Sequence, residues 1–325
     1  MLNISGFTLC IVGSPFQCLC MIEALHYFNI TDYDVLVGYS DKLSLGKIEA
    51  LLNTKGICYT KAKTAHVVKD ILQLRKTFRK RYTNFIIADF DNRNGYSIAC
   101  LLAKINATIC YIDDGAQAYQ FFAKPPVRKK YKISVESIFL AYSIIGKFKR
   151  IKKPIYYTVY DVTSENYQII RNEMTHLRVG NRDKKEGVYI VGTNSSALDF
   201  KNYSYFDYLD RLFTIIRNNY VDTPIFYCPH RRDLNNQHVL DFCRKKCLNI
   251  FETEISVEYD FVTKGVNPKA IIGFNSNALY TLHILYPDSK CQTVRFQLQQ
   301  ENREKQNALL TEKLEKRGIL VLDIF

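Results

Sequence analysis

Two open parallel-sheet α/β domains are the architecture this sequence predicts, and three observations predict it. Short β-rich apolar runs alternate with longer helical ones along all 325 residues, which is the pattern of repeated βαβ units. The length is about twice the ~150 residues of an ordinary domain. A charged run, Asn181-Arg182-Asp183-Lys184-Lys185-Glu186, separates two stretches that each show the alternation. That run is the expected linker between a first domain over 1–180 and a second over 187–325.

In the first stretch, strands are expected near 7–13, 34–38, 57–60, 84–89 and 108–112, with helices between them. Phe7-Thr8-Leu9-Cys10-Ile11-Val12-Gly13 runs into Ser14-Pro15. Proline suits the first turn of a helix, here one running to about Phe28. Pro154-Ile155-Tyr156-Tyr157-Thr158-Val159 predicts one more strand, followed by a polar, periodic stretch. In the second stretch, strands are expected near 187–192, 224–229, 248–252, 270–274, 291–296 and 319–324. The helices between them fall near 203–219, 235–247, 256–264, 277–286 and 301–317.

Composition narrows the class. With 47% hydrophobic residues, 24% charged residues, 14 Gly and 8 Pro, the chain is that of a folded globular protein. The ten cysteines stand singly, mostly inside apolar runs such as Thr8-Leu9-Cys10-Ile11-Val12, and read as reduced core residues. Without a Cys-x-x-Cys pair, no zinc site is expected, and no metal is assigned. Met1–Gly6 lacks the basic region of an export signal, and no apolar run approaches the ~18 residues of a membrane span. A cytoplasmic protein is expected, with any membrane attachment peripheral.

The net charge of +13 draws the chain toward anionic partners. Lys and Arg cluster at Lys124, Arg128, Lys129, Lys130, Lys132 and at Lys147, Lys149, Arg150, Lys152, Lys153. Such runs are often no more than a solvated face. The functional alternative is contact with an anionic membrane surface, where each basic residue contributes about 1 kcal/mol. Nucleic acid is not the expected partner, because no helix-turn-helix, zinc-finger or RNP pattern accompanies the charge.

Ligands of open α/β sheets collect beyond the carboxyl ends of the strands, so polar residues there carry the functional expectations. Asp113 and Asp114 emerge from Tyr111-Ile112 into a turn that Gly115 permits. They make either a simple turn or a general base for a hydroxyl acceptor. Cys228-Pro229-His230-Arg231-Arg232 sets an imidazole and guanidiniums at another strand end, a plausible anion site. Phe274-Asn275-Ser276-Asn277 and Gly192-Thr193-Asn194-Ser195 are small polar turns entering helices. They serve either as caps or as phosphate cradles. Glu258 opens a helix and would either complement its dipole or grip a ribose. His26, His66, His176, His238 and His283 lie in helical patterns without such company and are read as structural. No GxGxxG or Walker pattern occurs.

Together, Asp113-Asp114-Gly115, His230 at a strand end and Ser276 in a later turn resemble the bacterial sialyltransferases of the GT-B class. These comprise glycosyltransferase families 52, 38 and 80, which share a D/E-D/E-G motif, an HP motif and a Ser/Thr motif. The resemblance covers both halves and implies a GT-B fold: two Rossmann-like domains facing a central cleft, the first on the acceptor side and the second binding the nucleotide sugar. It implies Asp114 as general base with Asp113 supporting it. His230, with Arg231 behind it, and Ser276 would act on the CMP phosphate. Ser14, Pro15 and Gln17 match a Thr/Ser-Pro-x-Gln loop lining the acceptor or sugar side, and Glu258 matches a carboxylate near the nucleotide. Here proline precedes His230 instead of following it, which widens the expected donor to CMP-nonulosonic acids in general. The implied reaction is metal-independent, cofactor-free, inverting transfer to a surface glycan, with an acceptor that is lipid-linked. Two other readings stand beside it: a GT-B transferase using a UDP- or GDP-sugar, and a non-catalytic protein binding polysaccharide or nucleic acid through its basic surface.

Overall fold

The computed structural model describes residues 6–39, 41–63, 76–78, 82–88, 93–115, 144–147, 149, 154–178, 185–195, 198–230, 232–234 and 236–325. The chain divides into two compact units, Met1–Leu177 and Arg178–Phe325. The first strand of the second unit begins at Lys185, inside the charged run expected to be linker. Residues 181–184 of that run lie outside the described residues.

The first unit carries strands β1 (Thr8–Val12), β2 (Tyr33–Tyr39), β3 (Thr60–Lys63), β4 (Tyr82–Ala88), β5 (Ala103–Ile112), β6 (Ile155–Thr158) and β7 (Gln168–Arg171). Its helices are α1 (Pro15–Tyr27), α2 (Lys42–Thr54), α3 (Arg93–Leu102) and the single turn α4 (Thr175–Arg178). The sheet order is β3-β2-β1-β4-β5-β6-β7, with every pairing parallel. Strands buried on both faces explain the unbroken apolar runs: all five residues of β1 are buried. β7 falls in the polar stretch after Val159, where its two apolar residues, Ile169 and Ile170, make too short a run to mark a strand. At the edge of the sheet, all four of its residues are half-buried or exposed.

The second unit carries β8 (Lys185–Val191), β9 (Ile225–Cys228), β10 (Asn249–Ile250), β11 (Val266–Gly273), β12 (Lys290–Val294) and β13 (Leu320–Leu322). Its helices are α5 (Tyr205–Asn219), α6 (Gln237–Lys245), α7 (Val257–Thr263), α8 (Asn277–Leu285) and α9 (Glu301–Lys316). The order β10-β9-β8-β11-β12-β13 is again all parallel. Both sheets therefore reverse direction beside their first strand, between β1 and β4 and between β8 and β11. That reversal is the topological switch point at which open α/β sheets bind ligands. The second core packs Tyr205, Tyr208, Leu209 and Leu212 of α5 against Val188, Ile190, Tyr227 and Phe274.

The ten cysteines are free thiols, eight of them buried, while Cys58 and Cys247 are exposed and so depart from the expected core placement. Among the described residues no helix is long and apolar enough to cross a membrane. The basic cluster from Lys124 to Lys132 lies outside the described residues, as do Arg150, Lys152 and Lys153. Lys149 does not fit a membrane-facing role. Its ammonium donates to the carbonyls of Leu101 and Ala103 at 3.1 and 2.7 Å, neutralising the end of α3, where carbonyls lack helical partners.

Candidate active site

In the first unit the polar groups converge at the switch point through α1. Ser14 is extended (φ −145°, ψ 160°) and caps α1, its hydroxyl accepting from the Gln17 N–H at 3.2 Å, with Pro15 in the first turn. Gly13 ends β1 close to β2: a Cβ there would lie 2.9 Å from the Gly38 carbonyl oxygen. The Gly13 N–H donates to Gln17 Oε1, and Gln17 Nε2 donates to Asp114 Oδ1. Gln17 is only 7% exposed. Each end of its amide thus makes one hydrogen bond to a protein group.

The two adjacent carboxylates separate completely. Asp113 is 0% exposed and accepts three hydrogen bonds, from Tyr156 Oη at 2.7 Å, Thr158 Oγ1 at 2.7 Å and the Val159 N–H at 2.8 Å. Tyr156 and Thr158 are two apart on β6, so both hydroxyls face the same way. Burial pushes the Asp113 carboxyl up to about 6, although its three donors pull the other way. Asp114, one residue on, is half-buried. Gly115 follows at φ +72°, a left-handed turn that glycine adopts without strain. Asp113 therefore braces β5 against β6, and Asp114 is the carboxylate presented at the strand end.

In the second unit, loops after β8, β9 and β11 surround the other switch point. Gly192 has to be glycine: a Cβ would lie 2.5 Å from the Tyr227 hydroxyl and 3.1 Å from the Cys228 carbonyl oxygen. Gly192→Ala is expected to cost about 1–3 kcal/mol by overpacking. Urea denaturation checks this, and unchanged stability would show that Tyr227 gives way. Thr193 and Asn194 are half-buried, and the Thr193 backbone hydrogen-bonds the Tyr205 hydroxyl. That hydroxyl stands 2.7 Å from the Tyr227 hydroxyl.

His230 is half-buried, and its Nδ1 accepts from the Arg232 N–H at 3.3 Å. With Nδ1 accepting, the proton of the neutral ring is assigned to Nε2, leaving that nitrogen as a donor. Arg231 lies outside the described residues. The residue that ties this loop to its neighbour was not singled out from the sequence. Asp233 is fully buried and accepts from the Ser195 N–H at 2.8 Å, while its own N–H donates to the His230 carbonyl at 2.7 Å. Its other oxygen is buried with no hydrogen-bond partner among the described residues. Only its position three residues after His230 marks it in the sequence, and that spacing is indistinguishable from a turn.

The β11 loop is divided in its use. Asn275 has a left-handed backbone (φ +33°). Its Nδ2 donates to Asn307 Oδ1, to Thr311 Oγ1 at 2.6 Å and to the Asn307 carbonyl at 3.3 Å. Its Oδ1 accepts from Thr293 Oγ1 at 2.8 Å. The expectation of a nucleotide contact from this side chain is corrected, because these bonds hold it against α9. Ser276 caps α8, accepting from the Ala278 N–H at 3.2 Å. Asn277 follows, its Oδ1 buried with no hydrogen-bond partner among the described residues. Glu258 is buried at the start of α7, where it accepts from Thr281 Oγ1 of α8 at 3.0 Å. Burial raises its pKa, opposed by hydrogen bonds from its own backbone, Thr281 and Ser256.

Of the histidines read as structural, His66 lies outside the described residues. His26 and His176 stack with ring centroids 3.4 Å apart. Among the described residues no group of three or more His, Cys, Asp or Glu is arranged to hold a metal ion.

No family model matches the chain, and no curated protein matches it in sequence. Solved structures do. An α/β-galactoside α-2,3-sialyltransferase from the luminous marine bacterium Photobacterium phosphoreum superposes with a TM-score of 0.59 at 12% identity, covering 97% of this chain and 98% of that one. The GT-B domain of a sialyltransferase from Photobacterium damselae gives 0.54 at 13% identity, covering 97% and 99%. The chain has a GT-B fold. The same fold relates it to UDP-GlcNAc 2-epimerase from Methanocaldococcus jannaschii, with a TM-score of 0.54 at 11% identity over 95% and 92% of the two chains. At these identities the likeness is one of architecture, and the GT-B fold hosts more than one chemistry.

Proposed function

We propose that this GT-B chain is an inverting glycosyltransferase that moves sialic acid or a related nonulosonic acid from its CMP conjugate to a hydroxyl of a bacterial surface glycan. The observation that carries this reading is the separation of the two carboxylates. Asp113 is buried and holds three donors of β6 and the residue after it, whereas Asp114 is half-buried at the end of β5, where Gln17 donates to it. That is the arrangement a general base needs. In the reaction, the acceptor hydroxyl gives its proton to Asp114 as its oxygen bonds to the anomeric carbon. The bond from that carbon to the CMP phosphate oxygen breaks, and the electron pair leaves with the phosphate.

The growing phosphate charge is met by the donor at His230 Nε2, by Arg231, and by the Ser276 hydroxyl at the positive end of α8. Gly192, Thr193 and Asn194 line the neighbouring loop, and Asn277 and Glu258 complete the nucleotide side. Glu258 already holds Thr281, so it grips a ribose only through its remaining acceptor capacity. Ser14 belongs to the acceptor side. No cofactor enters the scheme. A lipid-linked acceptor and contact of the Lys124–Lys132 segment with anionic lipid at the inner membrane face belong to the same proposal, supported by the basic charge.

Calorimetric titration with CMP, CDP, UDP and GDP tests the donor. Preference for CMP, weakened at least tenfold in His230→Ala, is the expected result. Preference for UDP would instead favour the nucleotide chemistry of the epimerase-like neighbours. Unchanged CMP affinity in the variant would remove His230 from the phosphate site. Salt-sensitive polyanion binding with no nucleotide affinity would replace the enzyme by a binding protein.

A further inference from the structure

We propose that Gln17 is a positioning residue that sets the orientation and charge of Asp114, an inference that rests on Asp114 being the reaction's base. An amide is asymmetric, and here its sense is dictated. The Gly13 N–H is a donor that no side-chain rotation can remove, so the group facing it must be Oε1. The opposite end is then Nε2, and it points a hydrogen at Asp114 Oδ1. Gln17 is 93% buried and its own N–H is held by the Ser14 cap, so neither its backbone nor its side chain has freedom to turn over.

The chain Gly13 N–H to Gln17 to Asp114 Oδ1 thus transmits a fixed donor from the end of β1 to the end of β5. These strands are not neighbours: β4 lies between them. Two consequences follow from the chemistry. A donor on one oxygen fixes the plane of the carboxylate, which a base must present within hydrogen-bond reach of the acceptor hydroxyl. The same donor favours the ionised form over the protonated one.

Gln17→Glu separates this role from a merely structural one, because an isosteric carboxylate still accepts the Gly13 N–H while setting a second negative charge against Asp114. The direct readout is the ¹³C carboxyl titration of Asp114 in the full chain, assigned by its loss in Asp114→Asn. It is expected to move upward by about one pH unit or more in Gln17→Glu, and upward by less in Gln17→Met, which only removes the donor. As coupled acids, residues 17 and 114 would titrate as a pair in the first variant, so Gln17→Met supplies the single-site measurement. An unmoved titration in both variants overturns the inference.

In the active enzyme, the acid limb of the kcat/KM profile should shift by the same amount, with CMP affinity unchanged. A fall in rate at every pH with both the limb and the Asp114 titration unmoved would reduce Gln17 to a structural part. If the titration of Asp114 moves while the rate profile does not, Gln17 still sets the carboxylate's charge, and the assignment of Asp114 as base is what fails.

Discussion

Turnover of a CMP-nonulosonic donor is expected to fall by about 10²–10⁴-fold when Asp114 is replaced by alanine, the range a general base contributes. CMP affinity should stay near that of the unaltered protein, because the groups proposed to bind the phosphate belong to the second unit and Asp114 to the first. Asp114→Asn should behave similarly: it preserves size but accepts no proton. The pair of measurements, steady-state turnover and calorimetric CMP binding, isolates the base from donor binding. Retention of near-normal turnover in Asp114→Ala would show that the acceptor proton leaves by another route. Loss of CMP binding together with turnover would mean that the variant disturbs more than the carboxylate.

Asp113 is expected to govern stability to a comparable degree, through a different mechanism. Asp113→Ala strips the acceptor from Tyr156 Oη, Thr158 Oγ1 and the Val159 N–H. Each buried donor left unsatisfied costs about 1–3 kcal/mol, so a total of about 3 kcal/mol or more is expected in urea denaturation at neutral pH. The pH dependence has a definite sign. Burial raises the Asp113 pKa from 3.8 to about 6, so the folded chain binds this proton more tightly than the unfolded chain does. The resulting stabilisation is complete below about pH 3.8 and is lost as pH rises through about 6. Its loss with rising pH should disappear in Asp113→Ala, so the stability difference between the two proteins should narrow from pH 4 to pH 6. A difference constant with pH would show that folding leaves the Asp113 pKa at its unfolded value.

Much of the frame is legible along the chain because it rests on local periodicity. β1 and its Ser14-Pro15 exit, β5 ending at Asp113, β9 ending before Pro229, and Ser276 opening α8 all lie where apolar runs give way to turn and cap residues. The elements missed or displaced are those for which burial imposes no pattern. β7 is a four-residue edge strand whose only apolar residues are Ile169 and Ile170, both half-buried, too short a run to stand out. β8 begins in Lys185-Glu186, a charged pair that reads as linker, and Glu186 is exposed although it lies within the strand. Cys58 and Cys247 look like their buried counterparts in sequence, yet they are exposed. Lys149 is one basic residue among several until the end of α3 is brought to it.

The site divides the same way. By itself the sequence determined the two alternating α/β halves and the polar residues at their strand ends, because repeating hydrophobicity and capping chemistry act over a few residues. Tertiary structure alone decided what those residues do. The two neighbouring carboxylates 113 and 114 became a brace and a presented acid because Tyr156, Thr158 and Val159, more than forty residues away, claim the first. Gln17 became the partner of Asp114 across 97 residues. Asn275 was absorbed by α9, and Asp233 became the tie between two loops. Hydrogen-bond satisfaction in a buried setting is a long-range accounting, and no spacing within a loop reveals which partner will arrive to complete it.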